Sequence, residues 1–130
     1  MKNIRVFSDF ACPFCYIGFS IADKLRKERN DLKIVYYPYE LDPHMSLEGG
    51  DIKDSIPQEQ LDTAYKRIES LGSEYGLIYN NRTKKFNTSR LHKASIYADT
   101  EGKFFDFARE AFRYFFELGE NVADPLIVNE

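Results

Sequence analysis

The sequence predicts an α/β chain: a β-α-β unit at the N-terminus, followed by a helical remainder. Three observations carry this. Residues 4–7 hold Ile, Val and Phe in a short strand-like run, Pro13 opens a helical pattern that reaches to about Arg29, and residues 32–39 return to β-branched and aromatic residues. After that point, each periodic segment repeats its apolar residues at three-and-four spacing.

The elements follow in order. The first strand ends at Ser8-Asp9. Pro13 suits the first position of a helix, where its φ is already set and no amide hydrogen bond is lost. Phe14, Gly18, Ile21 and Leu25 fall on one stripe of that helix, with Cys15 and Ala22 beside it, and Asn30-Asp31 ends it. Pro38 marks the end or an edge of the second strand. Two strands joined by one helix are expected to be parallel, with a right-handed connection. Residues 40–56 read as a loop punctuated by Pro43, Gly49 and Gly50. Beyond Pro57, Leu61, Ala64, Tyr65, Ile68, Leu71 and Tyr75 mark a helix that Gly76 stops. Asn87-Thr88-Ser89 caps a further helix carrying Leu91, Ala94, Ser95 and Ala98, which ends at Gly102. Phe104, Ala108, Ala111, Phe112 and Phe115 form the apolar face of the next, closed by Gly119, and Ala123-Asp124-Pro125 opens a last one. The chain thus divides into a β-α-β portion, residues 1–45, and a helical portion, residues 46–130.

Composition narrows the function. With 130 residues and 43% hydrophobic content, the chain is one domain in size and can bury a core. No window is apolar enough to span a bilayer, and the opening Met1-Lys2-Asn3-Ile4-Arg5 lacks the apolar stretch of a signal peptide, so a cytoplasmic location is expected. A net charge of −3 and a pI near 5.5 argue against nucleic-acid binding. Lys24, Arg26, Lys27 and Arg29 do cluster, but Asp23, Glu28 and Asp31 alternate with them, as on a solvated helix face.

The chemistry lies in Cys12-Pro13-Phe14-Cys15. A disulfide across so short a loop removes little chain entropy, so the pair makes a poor staple. Close spacing instead lets one thiol resolve the mixed disulfide formed by the other. A helix N-terminus carries partial positive charge and unpaired N–H groups, both of which favour a thiolate. Cys12 is therefore expected to be the exposed, low-pKa nucleophile and Cys15 the shielded resolving thiol. The alternative is half of a zinc site, which would need two more ligands, with only His44 and His92 to supply them as imidazoles.

Four segments resemble one family. Phe7-Ser8-Asp9-Phe10-Ala11-Cys12-Pro13-Phe14-Cys15-Tyr16-Ile17-Gly18 resembles the opening of the DsbA-family oxidoreductases of the FrnE type, a group that includes the 2-hydroxychromene-2-carboxylate isomerase relatives. Tyr37-Pro38-Tyr39-Glu40-Leu41-Asp42-Pro43 resembles the family's strand and loop after the first β-α-β unit. Asn87-Thr88 with His92 resembles its N-T-x-x-x-H helix start, and the run from Phe116 to Pro125 its F-x-x-G-x-x-I-x-D-P. The resemblance implies a thioredoxin-like fold with a helical domain inserted after the first β-α-β unit, and no metal or bound organic cofactor. It implies oxidation, reduction or isomerisation of disulfides in protein or small-molecule thiol partners. A glutathione-dependent isomerase or transferase of the same superfamily, with glutathione as partner, is the alternative enzyme. A non-catalytic assembly module is the alternative of another class. The family's cis-proline loop, two further strands and final helix have no counterpart in the 130 residues. The chain is therefore expected to be a fragment, or to complete its fold as a homodimer.

Around the motif, Pro13 and Phe14 support the cysteines, and Phe10, Phe14 and Tyr16 are candidates for an apolar substrate-docking rim or for core packing. His92 is a candidate substrate contact or a packed helical histidine. Asp9 is open between a solvated position and a role in proton transfer, and its charge would oppose a thiolate if it pointed inward. Asn87 and Thr88 read first as cap residues.

Overall fold

A computed structural model describes residues 2–42, 44–51, 57–80 and 84–124. Strand β1 (Lys2–Ser8) leads into helix α1 (Pro13–Glu28), and β2 (Leu32–Pro38) returns beside β1. The strands are parallel, in register from Lys2 opposite Leu32 to Ser8 opposite Pro38. The β-α-β expectation holds; β1 runs wider than the expected residues 4–7, and β2 ends at Pro38, one residue short of the expected 39. Among the described residues this sheet has two strands.

A short antiparallel ladder, which the sequence did not signal, pairs β3 (Gly50–Asp51) with β4 (Lys84–Lys85). Gly49 makes it possible. Its φ is +82°, and a Cβ there would lie 2.6 Å from the Lys85 carbonyl oxygen. Helices α2 (Gln58–Ser73), α3 (Ser89–Thr100) and α4 (Phe104–Phe112) occupy the predicted regions. The predicted run through Phe115 changes character after Phe112: residues Arg113–Glu117 form a π-helical turn. Its wider spacing turns both Phe115 and Phe116 inward, each 2% exposed. The expected helix at Ala123-Asp124-Pro125 falls largely on residues outside those described; Val122 and Ala123 before it are buried. No described helix is long and apolar enough to cross a membrane.

One face of α1 differs from expectation. Its buried residues are Tyr16, Ile17, Phe19 and Asp23, while Phe14 and Ile21 of the predicted stripe are 46% and 44% exposed. The helix is apolar around most of its circumference at its start, so periodicity could not select the packed face. Aromatic partners select it. Phe112 stacks on Tyr16 at 5.0 Å with rings 5° apart and lies 5.5 Å from Phe19 and 5.0 Å from Phe10. Phe104 stacks on Tyr36 of β2 at 4.9 Å, so α4 closes over the sheet. Asp23 joins the same layers, accepting from Arg109 of α4 at 2.8 Å and forming an ion pair with Arg26 at 2.8 Å. One continuous cluster therefore runs from Phe10, Tyr16 and Phe19 to Ile68, Phe86 and Val122, across the predicted division at residues 45 and 46.

Candidate functional site

The cysteine pair sits where β1 turns into α1. Cys12 is the N-cap, with φ −90° and ψ 119°, and Pro13 takes the first helical position. The Cys12 N–H reaches the Asp9 carbonyl at 3.3 Å, and the Cys15 N–H reaches the Cys12 carbonyl at 3.0 Å, closing the first turn. Both cysteines are unbridged and half-buried, so the expected contrast of an exposed Cys12 and a shielded Cys15 is absent.

The two sulfurs are coupled by an S–H···S hydrogen bond, the largest influence on each. It lowers Cys15 to about 6 and, with burial and the charge on Cys15, raises Cys12. The two ionisations are thereby tied together, the first proton leaving more easily and the second less easily than from an isolated thiol. The expectation of a low pKa on Cys12 is corrected accordingly: the eased ionisation belongs to the pair and, in this geometry, falls on Cys15. Burial opposes it, while the Asp9 N–H and the Ser8 hydroxyl favour it. Cys12, as the N-cap, makes no side-chain cap hydrogen bond, so its sulfur meets the N-terminus of α1 through the field of the helix end and not through a cap bond.

Directly behind the pair lies a buried carboxylate. Asp9 is 3% exposed, which excludes the solvated position. Its Oδ1 accepts from the Thr88 hydroxyl at 2.7 Å, His92 Nε2 at 3.0 Å and the Ala11 N–H at 3.2 Å. Oδ2 accepts the Leu41 N–H at 2.8 Å. A carboxylate has no proton to give, so Nε2 is the protonated ring nitrogen of His92. Burial alone would raise the Asp9 pKa; the hydrogen bonds from His92, Thr88, Leu41 and Ala11 outweigh it and hold the carboxyl below its usual range. Three segments distant in sequence thus converge on one side chain. Neighbouring contacts brace them: Ser89 Oγ donates to Glu40, and Asn87 Nδ2 donates to the Met45 carbonyl at 2.7 Å. Asn87 also caps α3, its Oδ1 accepting the Ser89 N–H at 2.9 Å. Thr88, at the N-cap position, makes no side-chain cap bond and spends its hydroxyl on Asp9.

The candidate docking residues separate clearly. Phe10, Tyr16 and His92 are 4%, 7% and 5% exposed and belong to the core, with the Phe10 ring 5.1 Å from the His92 ring. They form no substrate rim. Phe14 remains at the surface and borders an open groove of about 490 Å³ whose far wall is Glu59, Gln60, Thr63, Ala64 and Arg67 of α2. A second cavity, between Ser8, Phe10, Tyr36 and His92, has only about 20 Å³. Among the described residues, no group of three or more His, Cys, Asp and Glu side chains could hold a metal ion. Sequence reasoning missed Tyr79, whose hydroxyl donates to the Pro13 carbonyl at 2.8 Å. No local pattern marks it among the 9 tyrosines of the chain.

Comparison with known proteins agrees with this geometry. The DSBA-like thioredoxin domain family matches residues 3–130. The chain is 26% identical over 123 residues to the uncharacterized protein YwbO of Bacillus subtilis (strain 168), covering 94% of this chain and 60% of that one. It superposes with a TM-score of 0.85 on the crystal structure of the probable DsbA oxidoreductase SCO1869 from Streptomyces coelicolor, at 22% identity, over 98% of this chain and 60% of that one. The chain therefore spans 60% of the length of each of these two proteins.

Proposed function

The chain belongs to the DSBA-like thioredoxin domain family, and from that premise we propose that it is a thiol–disulfide oxidoreductase working through Cys12 and Cys15. The observation that carries the proposal is the placement of two free cysteines at the N-terminus of α1, Cys12 as the N-cap and Cys15 in the first turn, where the helix end favours a thiolate. Cys12 is assigned the attack, because it stands at the N-cap, at the positive end of α1; a proton shift along the S–H···S bond gives it the charge.

The reaction balances as two exchanges. The Cys12 thiolate attacks one sulfur of a partner disulfide; that S–S bond breaks, a mixed disulfide forms, and the partner's other sulfur leaves as a thiolate. Cys15 then loses its proton and attacks the Cys12 sulfur. The Cys12–Cys15 disulfide forms and the second partner thiolate departs. The partner gains two electrons and the pair loses them; run backwards, the same steps oxidise a partner dithiol. The groove beside Phe14 offers a place for the partner's flanking residues, protein or small thiol, glutathione included. The finer assignment to the FrnE type is supported by the meeting of Asp9 from the opening segment with Thr88 and His92 of the N-T-x-x-x-H segment.

The test is exchange with 2-hydroxyethyl disulfide, a small neutral partner. Wild type is expected to be oxidised by it, and Cys15→Ser to accumulate a mixed disulfide on Cys12. Cys12→Ser is expected to accumulate little. Equal trapping in the two variants would reverse or remove the assignment of roles, and a wild-type pair that stays reduced would refute the activity.

A further inference from the structure

Cys15 is fixed within α1, but Cys12 stands outside the helix, at the N-cap with φ −90° and ψ 119°. Its place depends on the chain that leads to it, and that chain is a tight turn. The Cys12 N–H reaches the Asp9 carbonyl at 3.3 Å, and the Asp9 carboxylate folds back over the same turn, its Oδ1 accepting the Ala11 N–H at 3.2 Å. Both bonds are long, so by themselves they hold the turn weakly. The carboxylate is gripped at shorter range from the other side. Thr88 and His92 stand one helical turn apart at the start of α3, the His92 N–H donating to the Thr88 carbonyl at 3.0 Å, so their side chains share a face. The Thr88 hydroxyl meets Oδ1 at 2.7 Å and His92 Nε2 meets it at 3.0 Å. All three side chains are buried.

Removing either donor leaves a buried carboxylate short of a partner, and the charge regains one only by swinging out of the turn toward water. The backbone of Cys12 is freed with it, while Cys15 stays in the helix. Closure of the pair depends on how nearly the two sulfurs already face each other. We propose that Thr88 and His92 are positioning residues for the cysteine pair: through Asp9 they hold the Asp9–Cys12 turn, and so set how readily the Cys12–Cys15 bond closes. The inference rests on the redox reading above and deepens it, giving two side chains of α3 a part in a reaction that neither touches. The step concerned starts from a mixed disulfide between Cys12 and glutathione. The Cys15 thiol gives its proton to solvent and its sulfur attacks the Cys12 sulfur. The Cys12–glutathione bond breaks, the Cys12–Cys15 bond forms, and glutathione leaves as a thiolate.

Equilibration with reduced and oxidised glutathione, followed by acid quenching and mass spectrometry, gives the ratio of closed pair to mixed disulfide. At a fixed concentration of reduced glutathione this ratio measures closure. His92→Phe keeps a ring against Phe10 and removes the donor, and Thr88→Val keeps the side-chain shape and removes the hydroxyl. In each the ratio should fall about tenfold, the cost of ordering one freed backbone residue again before the bond can close. His92→Gln and Thr88→Ser return an N–H and a hydroxyl to similar places and should restore most of the ratio, which a role confined to packing would not do. Ile68→Val, at a core residue of α2 that is 2% exposed, loosens the fold away from the turn and should leave the ratio unchanged. An unchanged ratio in both His92→Phe and Thr88→Val would overturn the proposal, as would Gln and Ser variants that fall as far. If His92→Phe does not fold, the nearly isosteric pair Thr88→Val and Thr88→Ser decides. The ratio is an equilibrium imposed by added glutathione disulfide and does not depend on turnover. A wild-type protein that leaves 2-hydroxyethyl disulfide unreacted would therefore strike the redox reading, while the ratio still decides the role of Thr88 and His92.

Discussion

Asp9→Ala is expected to destabilise the fold by about 3–5 kcal/mol, the cost of removing one partner from a buried polar group. The figure can be built from the contacts. Thr88 and His92, each 5% exposed, would lose their shared acceptor at 2.7 and 3.0 Å, and a buried donor left unpaired costs about 1–3 kcal/mol. The Leu41 N–H belongs to a residue 60% exposed, so water can replace that bond and it adds little. For a chain of this length, about 4 °C of melting temperature per kcal/mol gives a fall of about 12–20 °C. Urea unfolding followed by far-UV circular dichroism measures the loss. Asp9→Asn, which keeps one oxygen but turns an N–H₂ toward donors, should fall between wild type and alanine. The pH dependence has a definite sign. The folded-state pKa is lowered by the four donors, so the stabilisation is complete above the unfolded value of about 3.9 and is lost as pH falls through the folded value. A midpoint for Asp9→Ala within about 1 kcal/mol of wild type, at unchanged slope, would refute the idea that this carboxylate fastens the loops to the motif.

Thiolate absorbance and iodoacetamide reactivity should rise through a midpoint of about 6, the value set at Cys15 by the S–H···S bond; a midpoint near 8.5–9 would show that the sulfurs do not share a proton in solution. Gly72→Ala should cost about 1–3 kcal/mol, because its Cβ meets the Tyr79 ring at 2.8 Å and Tyr16 and Phe116 flank that ring; an unchanged melt would show that the ring can yield. Self-association is expected through the apolar surface left on the β-α-β unit, where Phe7 is 65% exposed and stacks on Tyr37, itself 41% exposed. Light scattering over a dilution series should show a mass that falls toward the monomer, and Phe7→Lys should lower it further. A constant monomer mass at all concentrations would rule the interface out.

Phe112 and Phe115 lie on the apolar helix face that the sequence marks, and both are 2% exposed. Their apolar helix face was readable; its partner was not. The same division runs through the molecule. Strand, helix and strand around the motif, Pro13 at the first helical position and the helix stops at Gly76, Gly102 and Gly119 were readable, because each depends on forces within a few residues: side-chain alternation, a fixed φ, or a positive φ that glycine adopts freely. The cysteine pair was readable for the same reason, since its spacing and its helix terminus are local. The packed side of α1 was not, because Phe14, Ile17, Phe19 and Ile21 surround the helix with apolar surface and only the rings of α4 choose among them. The convergence of Asp9 with Thr88 and His92 spans 79 and 83 positions, and that of Tyr79 with Pro13 spans 66. The charge on the sulfurs depends on such contacts as well as on the motif, since burial and the hydrogen bond between the thiols decide how a shared proton is held. Interactions of that reach exist only after distant surfaces have met, so tertiary packing decides what a locally written motif can do.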